Sequence, residues 1–232
     1  MPYEERESQG IRARRRAEME AGILRLGREQ LADRGPAALS LRQIARDLGV
    51  ASSAVYRYVA DRDALLTRLV VDAYSELADH VESALAADGT APARRSLLVF
   101  AHAMREWGLR DPARWALIYG TPVPGYAAPE DQTLRPGTRL MAVLLRIVAD
   151  SGSAPAVPVP TGAYADFLDL GARDLGVDAT ASQGAFVVTA WSMLIGTISS
   201  EVFGQLGPVT RDVGAQVLDH ALALLEQGLE GS

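Results

Sequence analysis

Apolar residues recur with a helical period along almost the whole of this chain. The first helix is predicted from about Ile11 to Asp33, with Ile23, Leu24, Leu26 and Leu31 on its apolar side. It is closed by Gly35 and Pro36 in "DRGPAALS". Ser40 then reads as an N-cap, with Gln43 at the spacing of a capping box. Leu41, Ile44, Ala45 and Leu48 follow at i, i+3, i+4 and i+7, which is one apolar face of a two-turn helix. Gly49 suits the left-handed position just past its end. Another short helix starts near Ala51 and stops before Asp61. Asp61 caps a longer one that runs to about Ala87 through Leu65, Leu66, Leu69, Val70, Tyr74 and Leu77.

Further helices are expected at about Ala91–Leu109, Pro112–Tyr119, Pro136–Asp150, Ala163–Leu175, Ser182–Phe203 and Arg211–Leu229. Two Pro/Gly-rich loops interrupt them, "GTPVPGYAAPEDQ" and "SGSAPAVPVPTG". No stretch alternates with period two between hairpin turns, and no internal repeat is found. The pattern predicts an all-α protein.

Charge divides this helical array. Met1–Arg68 carries 13 Arg against 10 Asp and Glu, a net +3, so the remainder holds −9 of the overall −6. All 23 basic residues are arginine. A small basic unit joined to a larger acidic one is the simplest reading, and it sets the expected division at 1–68 and 69–232. A chain of 232 residues, 48% of them hydrophobic, can bury a core without cross-links. It has no cysteine, which excludes disulfides and thiolate metal sites and fits a cytoplasmic setting. No run reaches 18 uninterrupted apolar residues, and the N-terminal charges lead into no apolar stretch, so neither a membrane span nor a secretory signal is expected.

The short helix near Ala51 has two unlike faces. With about 100° per residue and Ser52 at zero, Tyr56 falls at about 40°, Ser53 at about 100° and Arg57 at about 140°. Ala54, Val55, Tyr58 and Val59 fill the opposite arc and can pack on Leu41, Ile44 and Leu48. Two short helices joined by a tight Gly turn over a third make a helix-turn-helix, whose second helix enters the DNA major groove. Ser52 and Ser53 allow close approach and offer hydroxyls, while Tyr56, Arg57 and Tyr58 add contacts to phosphate or base edges. Arg42 and Arg62, each in the first turn of a helix, are placed to meet backbone phosphates. Arg12–Arg16, "RARRR", would reach a flanking phosphate or the minor groove as an arm. A solvated polar face on an ordinary helix pair is the competing reading of the same pattern.

The stretch "LRQIARDLGVASSAVYRYVADRDALL" resembles the DNA-binding domain of the TetR family of bacterial transcriptional regulators. Ile44-Ala45, Gly49-Val50, Tyr56, Tyr58 and Leu65 match that pattern. Arg62 replaces the usual Lys, Val59 the usual Phe, and Ser53 a frequent Gly. The likeness covers about Ile11 to Leu69. Further on, "MREWGLRDPARWALIYG" and "AWSMLIGTISSEVFG" resemble a subtype whose late helix carries Trp, His and Gly; Trp191 and Gly196 match, and Ile195 stands at the His position.

The resemblance implies a homodimer that binds a palindromic double-stranded operator and is released from it by a small effector held in the second domain. Ser182–Phe203 is apolar on nearly every side, which calls for cover all round, and Gly184, Ala190, Ser192 and Gly196 would permit close helix approach. A monomer core would account for the same pattern. Met104, Trp107, Trp115, Tyr119, Met141, Tyr164, Phe167 and Trp191 are the large or soft side chains expected to line a pocket for a hydrophobic or aromatic effector.

Catalytic chemistry has little foothold. His102 and Glu106 at i, i+4 supply only two metal ligands, and His80 and His220 are expected at the surface. The chain has no lysine for a phosphate loop, and no G-x-S-x-G elbow occurs. No catalytic set, metal or cofactor is expected. The leading reading is a ligand-responsive dimeric regulator, a repressor by family default. The alternative is a helical small-molecule-binding protein that has lost operator binding.

Overall fold

The computed structural model describes residues 3–152, 155 and 157–229. Ten α-helices fill it, and there is no strand among the described residues. In chain order they are α1 (Tyr3–Arg34), α2 (Leu41–Asp47), α3 (Ser52–Tyr56), α4 (Arg62–Asp88), α5 (Ala93–Arg110), α6 (Pro112–Tyr119), α7 (Glu130–Asp150), α8 (Ala163–Asp174), α9 (Ala181–Val202) and α10 (Thr210–Leu229). A short 3-10 turn, Pro36–Ala38, links α1 to α2.

Two hydrophobic clusters organise the helices. The smaller gathers Ile23 and Leu26 of α1, Leu41, Ile44 and Ala45 of α2, Val55 and Val59 at α3, and Leu65, Leu66 and Leu69 of α4. The larger begins one turn further along α4, at Ala73, Leu77, Ala78 and Val81, and joins α5, α7, α9 and α10. The 27-residue α4 thus serves both, spanning ~40 Å at 1.5 Å per residue. The expected division at residue 68 falls inside this continuous helix.

Side-chain caps mark the starts of α2, α4, α6 and α9. Ser40 Oγ accepts the Gln43 N–H at 3.3 Å and Asp61 Oδ1 accepts that of Ala64 at 2.8 Å, as N-caps do. The Ser40 box is only half made. Gln43 turns its side chain to Asp47, and the Ser40 N–H donates instead to Gln30 Oε1 at 2.8 Å. Gln30 is buried on α1, so this bond fastens α1 to the start of α2. A complete capping box occurs at Thr180 and Gln183, where it opens α9.

Three helices depart from expectation. α1 begins at Tyr3, ahead of the expected start near Ile11, and Arg12–Arg16 stand on this helix. α3 closes at Tyr56, and the following turn drops Val59 into the smaller cluster while Tyr58 O accepts from Arg68 Nη2 at 2.6 Å. α7 starts at Glu130 and carries Pro136 inside it. Glu130 and Asp131 favour the positive end of the helix dipole, which supports a start upstream of the proline.

α9 is long and apolar enough to cross a membrane by length and composition, with a mean hydropathy of 1.4 over its best 18-residue window. Here it packs on α10, α7, α8, α5 and α6. Part of its apolar surface is buried within the helical body.

Candidate nucleic-acid interface and ligand cavities

α3 is positioned from beneath. Val55 and Val59 are buried, while Ser52, Ser53, Tyr56 and Arg57 are exposed together on the outer side. Burying one such aliphatic side chain stabilises the docked helix by about 1.5–3 kcal/mol, enough to fix which face looks outward. The turn between α2 and α3 uses Gly49 at φ 68, a left-handed conformation in which a Cβ would be strained. Arg42 on α2 is exposed, and no ion pair among the described residues engages it or Arg57.

Two expected contact residues are partly committed. Arg62 donates through Nη2 to Pro36 O at 3.0 Å and through Nη1 to Asp63 at 3.1 Å. Tyr58 is half-buried, with the Arg16 guanidinium 5.9 Å from its ring centre. Arg12, Arg14, Arg15 and Arg16 are exposed on α1, with Arg14 and Arg16 facing Glu18 and Glu20 one turn on.

The eight expected pocket residues separate into three settings. Met104, Trp107 and Trp115 are wholly buried core side chains. The Trp115 Nε1–H donates to Ser199 Oγ at 3.1 Å, and the Trp107 Nε1–H donates to Glu76 at 3.4 Å. Tyr119 packs on Trp115 with ring centres 4.7 Å apart, and Tyr74 and Trp191 stand edge-on to it at 6.1 and 6.0 Å. Its hydroxyl is buried with no hydrogen-bond partner, and burial, aided by Tyr74, pushes its pKa upward. Met141 and Phe167 line an open groove of about 470 Å³ between α7, α8 and α9. Tyr164 lies exposed on α8.

A second cavity of about 720 Å³ lies at the junction of the two clusters. Leu31, Gly35 and Pro36 form one wall, and Ala116, Tyr119, Ser199 and Phe203 stand on the other side. The first Pro/Gly-rich loop supplies Gly120 to Val123. That loop is seated on the smaller cluster through Val123 and Tyr126, and the Tyr126 hydroxyl lies 3.0 Å from Thr67 Oγ1.

An ion network that sequence reasoning missed ties three helices together. Arg114 of α6, only 3% exposed, donates to Glu76 at 2.7 Å and to Asp72 at 2.8 Å, both on α4. Asp72 also accepts from Nε and Nη2 of Arg28 on α1, and this hydrogen bonding is the main cause of the raised Arg28 pKa. Burial pushes the Glu76 carboxyl up, but the Arg114 bond and charge, with Arg28 and Trp107, outweigh it and hold it below the usual range. An arginine reads as solvated in a sequence, so only the fold reveals this one as buried.

His102 and Glu106 do not converge. His102 Nε2 lies 3.2 Å from Asp219, whereas Glu106 lies 3.5 Å from His80. No group of three or more potential metal ligands occurs among the described residues.

A helix-turn-helix docked on a larger all-helical body defines a DNA-binding transcriptional regulator. The description "Bacterial regulatory proteins, tetR family" matches residues 23–69, and "Tetracyclin repressor-like, C-terminal domain" matches residues 97–225. The chain is 44% identical over 211 residues to the HTH-type transcriptional regulators Rv1816 of Mycobacterium tuberculosis and Mb1846 of Mycobacterium bovis. The match covers 85% of this chain and 86% of each relative. It is also similar to the crystal structure of the regulatory protein SCO4313, with a TM-score of 0.76 and 36% identity over 92% of this chain and 97% of that one. The chain belongs to the TetR family of bacterial transcriptional regulators.

Proposed function

We propose that this regulator is a homodimeric repressor that reads a palindromic operator with α3 and is released by a small hydrophobic effector. The observation that carries the reading is the α3 face. Ser52, Ser53, Tyr56 and Arg57 stand exposed over a buried Val55 and Val59. In this account Ser52, Ser53, Tyr56 and Arg57 meet base edges and phosphates in the major groove, while Arg42, Tyr58 and Arg62 hold the flanking backbone. Residues 1–68 act as the reading unit and 69–232 as the effector and dimer unit, with the protein at work in the cytoplasm.

Dimerisation is supported by what α9 and α10 leave uncovered. Val217 and Leu224 are exposed on α10 with His220 between them, and Ser192 and Gly196 are exposed on α9. At Gly196 an added Cβ would meet nothing within 4 Å, so a partner backbone has room to approach. Two-fold symmetry would then place one α3 on each half-site. The effector reading draws support from the apolar groove that Met141 and Phe167 share. Release requires that the effector favour a dimer whose α3 spacing misfits the operator.

Selection of bound fragments from a random duplex library tests this function. The expected yield is an inverted repeat with half-sites separated by about one helical turn, ~34–36 Å. A pool with no common sequence would contradict it.

A further inference from the structure

We propose that the 720 Å³ junction cavity is a ligand site separate from the α7–α9 groove, and that it takes a neutral, largely apolar molecule bearing a hydrogen-bond acceptor. We further propose that its occupant acts on DNA binding through the Gly35–Pro36 turn. The second half rests on the operator-reading function above.

The size is that of small-molecule sites, which run from about 300 to 1,000 Å³. The lining sets the ligand's charge. No Asp, Glu, Arg or His borders the cavity, although 22% of the chain is charged. Its one titratable side chain, Tyr119, is kept protonated by burial. The lining offers an ion no counter-charge, so a neutral molecule is favoured.

The lining also sets the ligand's polarity. Ser199 Oγ already accepts from Trp115, and its own hydroxyl hydrogen has no acceptor among the described residues. It is a donor in want of an acceptor. Phe203, 40% exposed at the rim, offers an aromatic wall.

Coupling follows from which elements meet there. Pro36 lines the cavity, and its carbonyl accepts from Arg62 Nη2 at 3.0 Å. Arg62 opens the first turn of α4. Gly35 holds this turn at φ 72. A ligand that pushes on Gly35–Pro36 therefore moves the acceptor that holds Arg62, and with it a phosphate contact proposed above.

The test uses the full chain and two dyes with the same ring system, neutral N-phenyl-1-naphthylamine and anionic 8-anilinonaphthalene-1-sulfonate. The neutral dye should bind saturably, and the sulfonate at least tenfold more weakly. Ala116→Trp, which fills the cavity, should weaken the neutral dye at least tenfold, whereas Val188→Trp in the α7–α9 groove should not. Phe203→Glu, at an exposed rim position, repeats the test should Ala116→Trp fail to fold by circular dichroism. No saturable binding, equal binding of both dyes, or loss through Val188→Trp alone would overturn the site. Saturating dye should also change operator affinity several-fold in wild type and leave Ala116→Trp unchanged. Unaltered affinity on a bound operator overturns the coupling alone. If no sample binds any operator, the DNA-reading function fails and the dye result stands on its own.

Discussion

Single side chains differ in how far the fold depends on them. Tyr56 is 44% exposed, and its hydroxyl makes no hydrogen bond among the described residues. Tyr56→Phe should therefore lower operator affinity by about 1 kcal/mol, the size of one hydrogen bond, and leave the thermal midpoint unchanged. Equal affinity in a titration would remove Tyr56 from the interface. Glu76 does the opposite work. Its carboxyl is held below the ordinary range, so it stabilises the fold fully above the unfolded pKa of about 4.3 and loses that contribution as pH falls through the depressed value. The melting difference between wild type and Glu76→Gln should be largest above about pH 5 and shrink toward pH 3; a gap independent of pH would refute the assignment. The Ser-Ser-Tyr-Arg face was legible in sequence because helical period alone separates Val55 and Val59 from it. The Arg114–Glu76–Asp72–Arg28 network was not, because its residues lie far apart in the chain and each looks solvated when read alone.

Among elements, helix identity was easier to read than helix extent. Caps such as Asp61 gave starts closely, since one side chain fixes the first turn. Pro136 misled, because a proline reads as a start, although α7 carries it in its second turn. The pocket list shared this weakness. Aromatic spacing cannot tell a core position from a cavity wall, and Met104, Trp107 and Trp115 are fully buried. The α9–α10 pair shows how close two elements stand. Glu201, buried on α9, receives both Arg105 nitrogens at 2.7 Å and lies against Gly214 of α10. A Cβ at residue 214 would fall 2.1 Å from Glu201 Cδ. Gly214→Ala should thus destabilise the protein by about 1–3 kcal/mol in denaturant unfolding, as overpacking does, with the salt bridge disturbed as well. An unchanged midpoint would mean that α10 shifts freely.

At the scale of the molecule, α4 belongs to both hydrophobic clusters, and the Arg114 network joins α6 to α4 and α4 to α1. α6 and α1 are thus held to the same stretch of α4, where the two clusters meet. Exposed arginines lie on α1 and α2 and at Arg57, just past the end of α3. The measurement that tests the account most directly is fluorescence anisotropy of the purified protein on DNA from upstream of its own gene, titrated with salt and random competitor. Tight binding is expected that survives competitor, weakens steeply with salt, and saturates at two chains per site. Binding that is weak, sequence-blind and competed away in proportion to total DNA would contradict it.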